Sequence, residues 1–181
     1  MSCVRFIRRL GAVVAVASLM GLAACATPSR PEAMSLPATP GLTASAGDLG
    51  YRSVTSVIVS GGSETNPLWT AQVSNEDLKA ALEGSLAAAG YMGSDGRPMV
   101  VTANMVALNQ PLAGLDMSVT SRIQYSVTSG GRLVFNETVS ATGTATISEA
   151  FVGVERLRLA NEKSIQENIK QFITRFRANA G

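Results

Sequence analysis

Residues 117–128 carry the strongest pattern in the chain. Met117, Val119, Ile123, Tyr125 and Val127 point one way, and Ser118, Thr120, Arg122, Gln124, Ser126 and Thr128 point the other. Successive side chains of a strand face opposite sides, so this alternation spells a strand with one buried and one solvated face. Such strands belong to antiparallel sheets covered on one side. Ser121 is the polar exception on the apolar face.

The following residues return the chain antiparallel. Ser129-Gly130-Gly131 is a turn, and in 132–146 Leu133, Phe135, Val139 and Ala141 share a face against Asn136, Thr138, Ser140, Thr142 and Thr144. A two-residue Gly-Gly turn would set Tyr125 opposite Asn136. A three-residue loop, 129–131, pairs Tyr125 with Phe135 and Val127 with Leu133. The second keeps both apolar faces on one side and is the expected register. It leaves Glu137 on the apolar face, to be accommodated at the sheet edge, by an arginine, or at a bulge.

Two more strands are expected. Residues 51–59 are rich in β-branched side chains and end at Ser60-Gly61-Gly62, and 99–108 are nearly apolar on both faces. Helices must cover the sheet. Ser74 precedes Glu76 and Asp77, a helix start in which the serine caps the Asp77 amide and the carboxylates suit the positive helix end. The stripe Leu78, Ala81, Leu82, Ser85, Leu86, Ala89 follows, with Gly90 suited to a left-handed C-terminal position. A final helix is expected over about 155–177, burying Ile165, Ile169, Phe172, Ile173 and Phe176. The order is therefore β-α-β-β-β-α: an α+β two-layer sandwich, with a mostly antiparallel four-stranded sheet and two helices on one face. Pattern alone leaves the neighbour of the first strand open.

Ahead of this domain, set at 50–181, lie two segments of different character. Residues 1–24 read as a leader, with Arg5, Arg8 and Arg9 before an apolar run from Leu10 to Leu22. Leu22-Ala23-Ala24-Cys25 has the form of a bacterial lipobox, which implies cleavage before Cys25 and a lipid on its sulfur. Ala26 stands where an aspartate would favour inner-membrane retention, so the expected address is the outer membrane, facing the periplasm. Residues 25–49 carry Pro28, Pro31, Pro37 and Pro40 without apolar periodicity and read as a disordered tether. Extended, such a tether would reach about 70 Å.

Charge and residue usage exclude several chemistries. Of 15 basic side chains, the leader takes three, leaving 12 against 13 acidic. That balance offers no basic field for nucleic acid. There is no histidine, and the two cysteines are Cys3, in the leader, and Cys25. Histidine acid–base chemistry, Ser-His or Cys-His pairs, and His- or Cys-ligated zinc are therefore excluded. No metal is expected, and no cofactor beyond the covalent lipid. Carboxylates such as Asp116, Glu137 and Glu149 are scattered, without the spacing of a site.

The leader, the Pro-rich segment and the β-α-β-β-β-α order, with Asp77-Leu78, Leu82-Glu83 and Gly90-Tyr91-Met92, resemble small Gram-negative lipoproteins of the YajG type. The element order is also similar to that of LptE, the lipoprotein partner of the lipopolysaccharide translocon, and to auxiliary lipoproteins of lipid ABC transporters. The resemblance implies an envelope address and this fold; it transfers no functional residues. The leading functional expectation is a membrane-anchored, non-enzymatic accessory domain that binds an envelope protein or lipid. Contact would run through the polar sheet face with Arg122, an edge strand, or the loops holding Trp69 and Pro111-Leu112. The alternative is lipid or lipopolysaccharide transport or assembly, which needs a pocket among Leu82, Leu86, Ile165 and Ile169. An envelope enzyme is the third and weakest reading.

Overall fold

The computed structural model describes residues 26–66 and 70–179. The expectations for Leu22, Ala23, Ala24, Cys25 and Trp69 lie outside these residues. Four strands, β1 (Val54–Ser60), β2 (Met99–Asn109), β3 (Met117–Ser129) and β4 (Arg132–Ala145), form one sheet in that order. A short helix α1 (Pro31–Met34) precedes them, α2 (Asn75–Ala88) joins β1 to β2, and α3 (Gly153–Asn179) closes the chain. The expected α+β sandwich is the fold. Its sheet is mixed: β1 pairs parallel with β2, whereas β2–β3 and β3–β4 are antiparallel. A parallel neighbour needs a crossover, which α2 supplies.

Helix α2 begins as its sequence requires. The Asp77 amide donates to Ser74 Oγ at 3.1 Å. It ends at Gly90, whose φ of +78° is open to glycine, while the Tyr91 amide donates back to the Leu86 carbonyl at 2.8 Å. In α3 the expected stripe of Ile165, Ile169, Phe172, Ile173 and Phe176 is fully buried. Phe172 stacks on Tyr125 of β3 with ring centroids 4.1 Å apart.

The β3–β4 register corrects the expected one. Gly130 and Gly131 form a two-residue turn with φ of +55° and +80°, and Ser129 pairs with Arg132. The mirror-image hairpin turn matches strand twist and needs positive φ at both central positions, which two glycines adopt without strain. Such a turn alone would put apolar against polar faces. A bulge repairs this: Thr128 pairs with Leu133 but Val127 with Phe135, so Val134 is the extra residue. Tyr125 consequently lies opposite Glu137, and Leu133 is turned out to 60% exposure. Glu137 does sit on the helix-facing side, at the β4 edge, where Arg175 of α3 approaches to 3.4 Å.

The larger correction concerns residues 26–49. They are packed against the domain and contain helix α1. Met34 is completely buried, and Leu36, Leu42 and Ala44 join the same core cluster as Leu82, Leu86, Ile165 and Ile169. Backbone groups are paired too: the Leu36 amide donates to Ser85 Oγ at 2.9 Å, and the Ala44 amide to the Ala89 carbonyl at 2.8 Å. The segment forms a strap laid over both long helices. Proline at the start of α1 suits a first helical position, where no amide donor is needed.

Candidate functional site

Helix α3 lies between the sheet and this strap, so it buries polar groups on two sides. Toward the sheet, Tyr125 Oη donates to Asn168 Oδ1 at 3.0 Å, and Asn168 Nδ2 donates to the carbonyls of Ser121 and Val139 at 3.3 and 3.1 Å. Ser164 Oγ accepts from the Ser121 amide at 3.0 Å. Burial pushes the Tyr125 phenol well above its ordinary range, which keeps it a neutral donor. This network explains the polar exception at Ser121. The helix also comes so close that a Cβ on Gly143 would stand 2.2 Å from the Ser164 nitrogen.

Toward the strap, Glu162 is almost entirely buried and receives Arg158 Nη1 at 2.5 Å. The Arg30 amide and Nε also donate to Glu162, at 2.9 and 3.3 Å. Arg158 pairs with Glu155 as well, and that hydrogen bond holds the Glu155 carboxyl below its ordinary range. Gln166 Nε2 donates to the Ser35 carbonyl at 2.9 Å. The Arg30–Glu162 and Gln166–Ser35 contacts tie residues 30–35 to α3. Charge attraction and satisfied hydrogen bonds make the arrangement sensitive to loss of either partner. Both networks were missed in the sequence. The available signal was the run of polar residues Asn161, Glu162, Ser164 and Asn168 along a helix that needs only one buried face.

The strap decides the fate of the lipid-pocket reading. Leu82, Leu86, Ile165 and Ile169 have no exposure and share one cluster with Met34. These four side chains are packed among this chain's own residues.

Of the side chains named as partner contacts, the described ones, Arg122 and Pro111-Leu112, do not converge. Arg122 is exposed on the uncovered sheet face, with Ala107 and Ser140 beside it on β2 and β4. Around it run hydroxyl pairs, Ser118 with Thr144 and Thr120 with Thr142, each at 2.8 Å. On the other half of this face Ile58 and Val106 are each about half exposed. Pro111 and Leu112 lie elsewhere, on the loop between β2 and β3. They line a groove of about 490 Å³ with Thr70, Gln72, Gln110 and Leu157. At the opposite end of the sheet, Leu49, Arg97, Arg132, Leu133 and Val134 line a second cleft of about 300 Å³.

The scattered carboxylates stay scattered. Glu137 faces Arg175, Glu149 accepts from Lys163 Nζ at 2.5 Å, and Asp116 sits in the β2–β3 loop. The Lys163 hydrogen bond, with the Thr146 amide, lowers the Glu149 pKa. Among the described residues no group of three Asp, Glu, Cys or His side chains is arranged to hold a metal ion.

Neither a protein-family model nor a curated protein matches the sequence. Solved structures do resemble the fold. Protein XCC0632 from Xanthomonas campestris, assigned to family DUF330, superposes with a TM-score of 0.54 at 9% identity, covering 79% of this chain and 94% of that one. A minor lipoprotein from Acinetobacter baumannii gives 0.45 at 16% identity, covering 72% and 94%. A protein from Caulobacter crescentus gives 0.47 at 10% identity, covering 71% and 90%. At 9% identity what is shared with the Xanthomonas protein is architecture alone, and the chain has its fold.

Proposed function

We propose that this chain is a lipid-anchored envelope protein, without enzymatic activity, that serves as an accessory binding domain. The anchor is Cys25, acylated after cleavage behind Leu22-Ala23-Ala24, and the favoured address is the periplasmic face of the outer membrane. The binding element is the uncovered sheet face. The observation that carries this reading is the composition of that face. Ile58 and Val106 are half exposed beside a field of hydroxyls in which Arg122 supplies the charge. A partly apolar, hydrogen-bonding surface with one arginine suits a protein partner better than bulk solvent alone.

Two measurements test it. Cys25→Ala should move the protein from the membrane fraction to the soluble periplasm; a variant that stays in the membrane contradicts the anchor. A photo-crosslinking residue in place of Arg122 should give one discrete adduct in intact envelopes. The same residue in place of Lys170, on the exposed side of α3, should give none. Equal labelling at both positions contradicts the assignment of the sheet face.

A further inference from the structure

One end of the sheet carries apolar side chains that no other described residue covers. Leu112 is fully exposed, Leu115 is 75% exposed and Phe151 is 86% exposed. Ile147 and Val152, each more than 40% exposed, stand beside them. These residues sit on two loops, 110–116 and 146–152, that meet at the same end because Met117 pairs with Ala145. Arg156 binds the loops together, donating to the carbonyls of Ala150, Phe151 and Gly114 at 2.8, 2.6 and 3.2 Å. Monomeric soluble domains rarely leave such apolar side chains together without a function.

The packed strap brings the start of the mature chain to this same end. The Ser29 amide donates to the Gln72 carbonyl at 3.3 Å, and Gln72 Nε2 donates to Gln110 Oε1 at 3.2 Å. Gln110 Nε2 in turn reaches the Ala71 carbonyl and Asn161, both at 2.8 Å. Gln110 is the residue before Pro111-Leu112. Cys25 is four residues before Ser29, so it lies within about 14 Å of it even when extended. Charge in the two loops is confined to Asp116 and Glu149, and Glu149 is neutralised by Lys163.

We infer that Leu112, Leu115 and Phe151 form a membrane-contacting rim. The bilayer that holds the Cys25 lipid is the surface that covers them. This rests on the anchor reading above and goes beyond it, because the anchor alone would permit a domain standing off the membrane. Exposed leucine and phenylalanine at the acyl–headgroup boundary add buried apolar area to what a lipid anchor supplies. The domain is thereby oriented: the rim faces lipid, and the Leu49–Leu133 end faces away.

The test uses the lipidated full-length chain in vesicles of phosphatidylethanolamine and phosphatidylglycerol. A polarity-sensitive fluorophore is placed on Leu112→Cys, Phe151→Cys or Leu133→Cys, surface positions whose replacement leaves the core intact. Labels at 112 and 151 should emit at shorter wavelength, lose quenching by aqueous iodide and gain quenching by spin-labelled lipid. The label at 133 should do none of these. If protein floats with the vesicles but 112 and 151 quench with iodide as readily as 133, the rim is overturned while the anchor stands. If shielding appears in whole envelopes and not in vesicles, a protein covers the rim and the inference is again overturned. Protein that fails to float refutes the anchor and the rim together.

Discussion

Met34→Ala separates a packed strap from a loose tether. Met34 has no solvent exposure and belongs to the cluster that contains Leu82, Leu86, Ile165 and Ile169. Truncating it removes three heavy atoms from a position flanked by two helices. Buried methionine-to-alanine changes cost about 2–5 kcal/mol, the loss combining transfer and cavity contributions. The strap is held at its ends by Arg30–Glu162 and Ala44–Ala89, so it cannot easily collapse into the gap. We therefore expect a loss of about 3 kcal/mol, near the middle of that range. For a folded chain of this size each kcal/mol moves Tm by about 2–4 °C, so the midpoint should fall by roughly 6–12 °C. Thermal and urea unfolding in a Cys25→Ala background, followed by circular dichroism, would read this directly. Leu82→Ala, buried in the same cluster, is the scale. A Met34→Ala protein that unfolds with the parent while Leu82→Ala is destabilised would refute the packing of the strap.

Three further outcomes follow from the networks around α3. Glu162→Leu should destabilise by about 1–3 kcal/mol in urea unfolding, because it leaves the Arg30 amide without its acceptor and takes one of the two carboxylates that Arg158 pairs with, whereas Glu162→Leu with Arg158→Met should recover only part of the loss, since the Arg30 amide stays unpaired. Gly143→Ala should cost at least about 1–3 kcal/mol by denaturation, since the added methyl meets the α3 backbone at Ser164 and Ala160 rather than a yielding side chain. The carboxyls of Glu149 and Glu155 are both held below their ordinary range, so the stability they confer is present above the unfolded carboxylate pKa and is lost as pH falls through their lowered values. A Tm-against-pH profile should fall on the acid side, and Glu149→Gln should flatten that fall without changing the plateau shape above neutral pH.

Much of the fold was legible because it rests on local chemistry. The alternation of 117–128, the Ser74 cap, Gly90 and the apolar stripe of α3 each specify their own element. What was not legible depends on distant partners. Residues 26–49 lack periodicity because a strap is held by single anchors, Met34, Leu36, Leu42 and Ala44, spaced to fit two helices rather than one repeating face. The hairpin register turned on a bulge at Val134, which no alternation rule announces, although the parity of the apolar faces was read correctly. Of the described surface residues singled out, Arg122 lies on the open sheet face, and Pro111-Leu112 belong to the apolar end, next to Gln110. Their separation could be seen only once the strands were aligned.

Residues 29–44 are held against the domain, so on the proposed cleavage before Cys25 only a few residues separate the anchor from the fold. Hydrogen exchange of the membrane-anchored protein tests it most directly. The amides of Ser35, Leu36 and Ala44 donate to the carbonyl of Pro31, to Ser85 Oγ and to the carbonyl of Ala89. Peptides covering them should be protected to a degree approaching those of α2, since Leu36 is anchored on that helix and Ala44 on Ala89 just past its end. Complete exchange of 30–44 at the earliest time point, with α2 still protected, would contradict the account.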